Sequence, residues 1–181
     1  GFRRWRCVCE PRWAAPEVRL DTLTCTANRW TVFNGSGIIG SLRIAASTIG
    51  GHLQLRDVVI DGTAGPTDAR VAIDATGTTI GRNFEMIGLK RFTGCSSEIR
   101  LANAAIGANA VFQAIAIVGP SAVDATGATI AGEFVWGEVA VAPGTTVCFQ
   151  DTSALRLKTD CRFGSGDPRN LSLSGISFRI L

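Results

Sequence analysis

Tyrosine is missing from the 181 residues, methionine and histidine occur once each, and charged residues make up only 18%. The single histidine, His52, excludes a metal site built on two imidazoles and leaves one ring for any serine–histidine–aspartate arrangement. So little charge, with a mean hydropathy of +0.23, does not suit amphipathic helices, which would draw on Glu, Lys and Leu. No apolar run approaches the roughly 18 residues that cross a bilayer as a helix, and the first residues lack the order of a signal peptide. A cytoplasmic location is therefore expected. The start at Gly1, without an initiating methionine, fits a processed, tagged or partial chain.

Cysteine is present without a recognisable framework. Cys7, Cys9, Cys25, Cys95, Cys148 and Cys161 are irregularly spaced in a chain long enough for its own core. Buried free thiols are the favoured reading, and a disulfide among them stays open. Cys7-x-Cys9 with Cys25 lacks the CxxC pair and nearby histidine that zinc would use, so no metal and no cofactor are expected. The net charge of +3 comes mostly from Arg3, Arg4, Arg6 and Arg12 rather than from a continuous stripe. Nucleic acid is not expected as a partner on that balance. Gly35-Ser-Gly37 and Gly164-Ser-Gly166 lack the lysine and the strand–turn–helix setting of a phosphate loop and read as turns.

What the chain does have is 21 glycines among many Ala, Thr, Ile and Val, the composition of short strands separated by tight turns. It also repeats itself. Val71-Ala-Ile-Asp-Ala-Thr-Gly-Thr-Thr-Ile-Gly81 returns 50 residues later as Ser121-Ala-Val-Asp-Ala-Thr-Gly-Ala-Thr-Ile-Ala131, with a diverged copy, Glu98-Ile-Arg-Leu-Ala-Asn-Ala-Ala-Ile-Gly107, between them. The anchoring isoleucines fall at 80, 106 and 130. After each comes an apolar pair at strand spacing: Phe84 and Met86, then Val111 or Phe112, then Phe134 and Trp136. Ile49-Gly-Gly-His-Leu-Gln-Leu55 matches the same tail, and Ile39-Gly-Ser-Leu-Arg-Ile44 matches it with one residue fewer. Leu155-Arg-Leu157 and Leu171-Ser-Leu173 keep only the alternation.

The period predicts an all-β, single-stranded β-solenoid (β-helix), right-handed by preference, with about 24–26 residues per coil and roughly seven coils. Extra residues in the longer step from Ile49 to Ile80 are placed in a surface loop, Asp61-Gly-Thr-Ala-Gly-Pro-Thr-Asp68, and Gly164–Pro168 is read as a second such loop. The solenoid is expected over 31–181. Residues 1–30, with Trp5, Trp13 and Trp30 among basic residues, are read as an N-terminal cap or the stub of an upstream module. That segment is the one place where a membrane surface could be met. The IGG-x-L-x-L and D-A-T-G-A-T-I units, over about Ile38 to Leu157, resemble the repeats of actinobacterial-type solenoid proteins and, more distantly, the pentapeptide-repeat family. Some proteins of that type carry an oxidoreductase label, for which these residues offer no basis.

Asp74 and Asp124 fall at matching positions two coils apart, with Asn103 expected near the same place on the coil between. Acids on neighbouring coils can serve as acid and base or hold calcium, so Asp57, Asp61, Asp74 and Asp124 form the candidate surface site, with Asp68 beside them. The structural alternative has Asp and Asn capping the turn through backbone N–H groups, and it is preferred. His52 occupies a slot filled elsewhere by Asn83 and Glu133 and is read as a surface residue; Trp136, where Met86 sits two coils earlier, is read as core. No catalytic residue stands out, so an enzyme is less expected than a non-catalytic scaffold or protein-interaction module. The alternatives are a carbohydrate-active β-helix using those carboxylates, or a self-assembling bactofilin-like structural protein through paired coil ends. An unspecified protein or a second copy is the expected partner.

Overall fold

The computed structural model describes residues 17–19, 24–25, 30–34, 37–39, 41–61, 71–88, 91–93, 98–117, 121–141, 146–159, 171–172 and 174–178. Among them there is no helix. The strands follow in seven passes of the chain. The first comprises Glu17–Arg19 (β1), Thr24–Cys25 (β2), Trp30–Asn34 (β3) and Gly37–Ile39 (β4); the second Ser41–Arg43 (β5), Thr48–Ile49 (β6), His52–Arg56 (β7) and Val59–Asp61 (β8). The third comprises Val71–Asp74 (β9), Thr79–Ile80 (β10), Phe84–Ile87 (β11) and Arg91–Thr93 (β12); the fourth Glu98–Arg100 (β13), Ala105–Ile106 (β14) and Ala110–Ile117 (β15). Ser121–Asp124 (β16) with Thr129–Val141 (β17), Thr146–Cys148 (β18) with Ser153–Thr159 (β19), and Leu171–Ser172 (β20) with Ser177–Phe178 (β21) complete them.

Each strand pairs, always in parallel, with its counterpart on the neighbouring pass. A seven-stranded sheet runs β1-β5-β9-β13-β16-β18-β20, and a three-stranded sheet runs β12-β8-β4. An eleven-stranded sheet contains β2-β6-β10-β14 on one side and β3-β7-β11-β15 on the other, joined through the 13-residue β17, with β19 and β21 beyond it. The register Thr24–Thr48–Thr79–Ala105–Thr129–Ser153–Ser177 fixes the steps at 24, 31, 26, 24, 24 and 24 residues. The isoleucines at 49, 80, 106 and 130 lie side by side one residue further on, as the repeat requires. Pairing also reaches β1 and β2, inside the span 1–30 read as a cap or stub, and β3, which begins at the last residue of that span.

Local chemistry makes the corners. In Asp-Ala-Thr-Gly the amide of Thr78 donates to the Ala75 carbonyl at 3.1 Å and that of Ala128 to the Ala125 carbonyl at 3.0 Å, closing four-residue turns. Their third residues, Gly77 and Gly127, have φ of 64° and 68°, the left-handed region that glycine enters without a Cβ penalty. The same corner is occupied by Ala46, Asn103 and Asp151 on other passes, all with positive φ. A second corner carries Asp57, Gly88, Ala114 and Glu138, again all with positive φ.

The core lies between the seven- and eleven-stranded sheets, whose inward residues form one cluster. Leu42, Ile73, Ile99, Val123 and Val147 make one column; Leu55, Met86, Phe112 and Trp136 make another. Phe149, just after β18, packs its ring 4.9 Å from Phe134 and 5.5 Å from Trp136, so aromatic contact ties the two sheets together. Alternation along β7 and β11 follows directly, since successive side chains point to opposite faces.

Two alignments read from the sequence need correction. Leu42 and Arg43 pair with Ile73 and Asp74, not with the tail that follows an anchoring isoleucine, because the Ile39-to-Ile44 segment spans the end of β4 and the strand β5 of a different sheet. Leu171-Ser172 likewise pairs with Val147-Cys148. Of the loop read over 61–68, Asp61 ends β8; its other residues and the loop read at 164–168 lie outside the described residues.

Candidate functional site

The residue between Asp74 and Asp124 on the seven-stranded sheet is Arg100, not Asn103. Arg43 pairs with Asp74, Asp74 with Arg100, and Arg100 with Asp124, so the charges alternate along the column. Asn103 belongs to the turn, where its amide donates to the Thr126 carbonyl at 2.8 Å and its side-chain oxygen lies against Gly127. Counting six residues back from Ile80, Ile106 and Ile130 reaches Asp74, Arg100 and Asp124, a signal already present in the repeat.

Each acid of this column is engaged by its own surroundings. Asp74 Oδ1 accepts the Thr76 N–H at 3.1 Å and Asp124 Oδ1 the Thr126 N–H at 3.0 Å, the capping geometry that holds a turn. Asp74 Oδ2 also lies 3.7 Å from Arg43 Nε. Arg100 turns sideways along its own strand: Nε and Nη2 donate to the two oxygens of Glu98 at 2.7 and 3.1 Å. That hydrogen bond chiefly raises the Arg100 pKa; burial opposes it, and the charges of Glu98, Asp74 and Asp124 assist. Two rungs separate Asp74 from Asp124, or about 10 Å at the usual strand spacing.

The other two candidates sit elsewhere. Asp57 stands at the corner after β7, with φ of 51° and its side-chain oxygen against Gly88. Asp61 ends β8 in the three-stranded sheet, opposite Ile39 and Thr93. Asp68 lies outside the described residues, as do Cys7, Cys9, Cys95, Cys161, Trp5 and Trp13. Cys148 is a half-buried free thiol whose sulfur lies 3.4 Å from the Thr126 hydroxyl. Among the described residues, no group of three or more His, Cys, Asp or Glu is placed to hold a metal ion, and no helix is long and apolar enough to cross a membrane.

On the outer face of the eleven-stranded sheet His52 precedes Leu53 as Asn83 precedes Phe84, Asn109 precedes Ala110 and Glu133 precedes Phe134. The sequence did not single out the asparagine ladder this creates. Asn83 Oδ1 accepts the Asn109 N–H at 3.2 Å, and Asn109 Oδ1 accepts the Glu133 N–H at 2.8 Å. Beside it Glu85 accepts from Gln54 Nε2 at 2.7 Å and from Asn83 Nδ2 at 3.0 Å. Burial holds the His52 pKa below its usual 6.5, with Arg82 adding to the effect and Glu85 opposing it. These polar groups join one rung to the next. No protein-family model matches the chain, and comparison with curated proteins and with solved structures gives no match.

Proposed function

We propose that the chain is a right-handed β-solenoid acting as a non-catalytic scaffold or protein-interaction module. The observation that carries this reading is the register of the strands: Thr129–Ser153–Ser177 continues the order of Thr24–Thr48 with the same 24-residue step. A repeat that stacks on itself presents side chains at about 4.8 Å intervals on fixed faces, and parallel crossovers favour the right hand. Gln54, Asn83, Glu85 and Asn109 on one face and Asp74 and Asp124 on another bond to one another or to the backbone, which suits a rigid display surface. Asp74 and Asp124 join turn and sheet in this reading.

A second reading, end-to-end self-association, draws on Leu157. It follows Phe134 in an inward column yet is 40% exposed, and beyond Ala154 the outer side of β19 has no pairing among the described residues. Nothing observed favours the carbohydrate-active alternative, since a cation stands between the two acids.

Size-exclusion chromatography with light scattering across a concentration series separates these readings. A constant monomer supports display of the lateral faces to another protein. Assemblies that grow with concentration replace it with self-association. Glycan turnover that disappears in Asp124→Asn overturns the non-catalytic reading.

A further inference from the structure

We draw no further inference here: the strongest candidate, the ladder of Thr48, Thr79, Ala105, Thr129, Ser153 and Ser177 on the outer side of the eleven-stranded sheet, is a stripe of small side chains with no second observation among the described residues to indicate a ligand.

Discussion

At the scale of the residue, backbone conformation separates positions that look alike. Gly127 and Ala114 both occupy left-handed corners, with φ of 68° and 53°. An L side chain there costs about 1–2 kcal/mol. Gly127→Ala should therefore destabilise by at least that amount, since the new Cβ also meets the Asn103 side chain. Ala114→Gly should stabilise by up to about 1 kcal/mol, the strain it relieves being offset by the freedom glycine gains when unfolded. Urea unfolding measures both, and opposite signs are the expected result. Asp124 offers a second comparison. Asp124→Ala removes the acceptor of the Thr126 N–H and should cost about 1 kcal/mol. Asp124→Asn keeps an oxygen there and should recover most of it, which a carboxylate needed for its charge would not allow.

His52 supplies a pH test at the same scale. Its folded-state pKa lies below its unfolded value, so the unfolded chain binds more protons as pH falls through about 6.5. The native state should lose stability from pH 7.5 toward 5.5, and more steeply in the wild type than in His52→Asn. The chain has no other histidine to blur the comparison. Equal slopes in thermal melts of the two proteins would show that His52 is not the titrating group.

At the scale of the element, columns of like residues decide which strands tolerate change. Phe112 is fully buried between Met86 and Trp136 in its column, with rings of Phe84 and Phe134 each 5.7 Å away. Phe112→Ala should cost about 3–5 kcal/mol in denaturant unfolding, the usual range for emptying an aromatic site in a packed core. Trp136 is buried too, but its indole N–H has no hydrogen-bond partner among the described residues. Trp136→Phe should cost clearly less than Phe112→Ala, because removing an unsatisfied donor offsets part of the lost contact. The repeat made this stripe legible: Phe84, Met86, Phe134 and Trp136 recur at strand spacing, and their inward direction follows from the pleat. Between Val111 and Phe112 it made no choice. The register settles it, since Phe112 lies between Met86 and Trp136 while Val111 faces outward between Glu85 and Val135.

At the scale of the whole molecule, the strand register can be tested by chemistry. Thr79 and Ala105 are directly paired, whereas Thr48 and Ala105 are two rungs apart. Directly paired residues fall within the Cα separation of about 4.4–6.8 Å that a disulfide spans, and residues two rungs apart do not. Thr79→Cys with Ala105→Cys should crosslink under mild oxidation above the background of the native cysteines, and Thr48→Cys with Ala105→Cys should not. Mass spectrometry of the digested protein reads the bond, and the reverse outcome would displace the 26-residue step.

The sequence by itself determined that this chain is built of short strands with tight corners, and it located the Asp-Ala-Thr-Gly corner and the anchoring isoleucines. Those features are local: an alternating pattern, a turn that needs positive φ, and a spacing that returns. The tertiary structure decided which strands share a sheet, and it brought together charges whose common offset from the anchoring isoleucines the repeat already carried. Ile39-to-Ile44 looked like one repeat unit although it belongs to two sheets, because apolar alternation is common to every strand whichever sheet it joins. Asp74, Arg100 and Asp124 act on one another because the parallel strands lie side by side, since Coulomb attraction depends on separation in space and not along the chain.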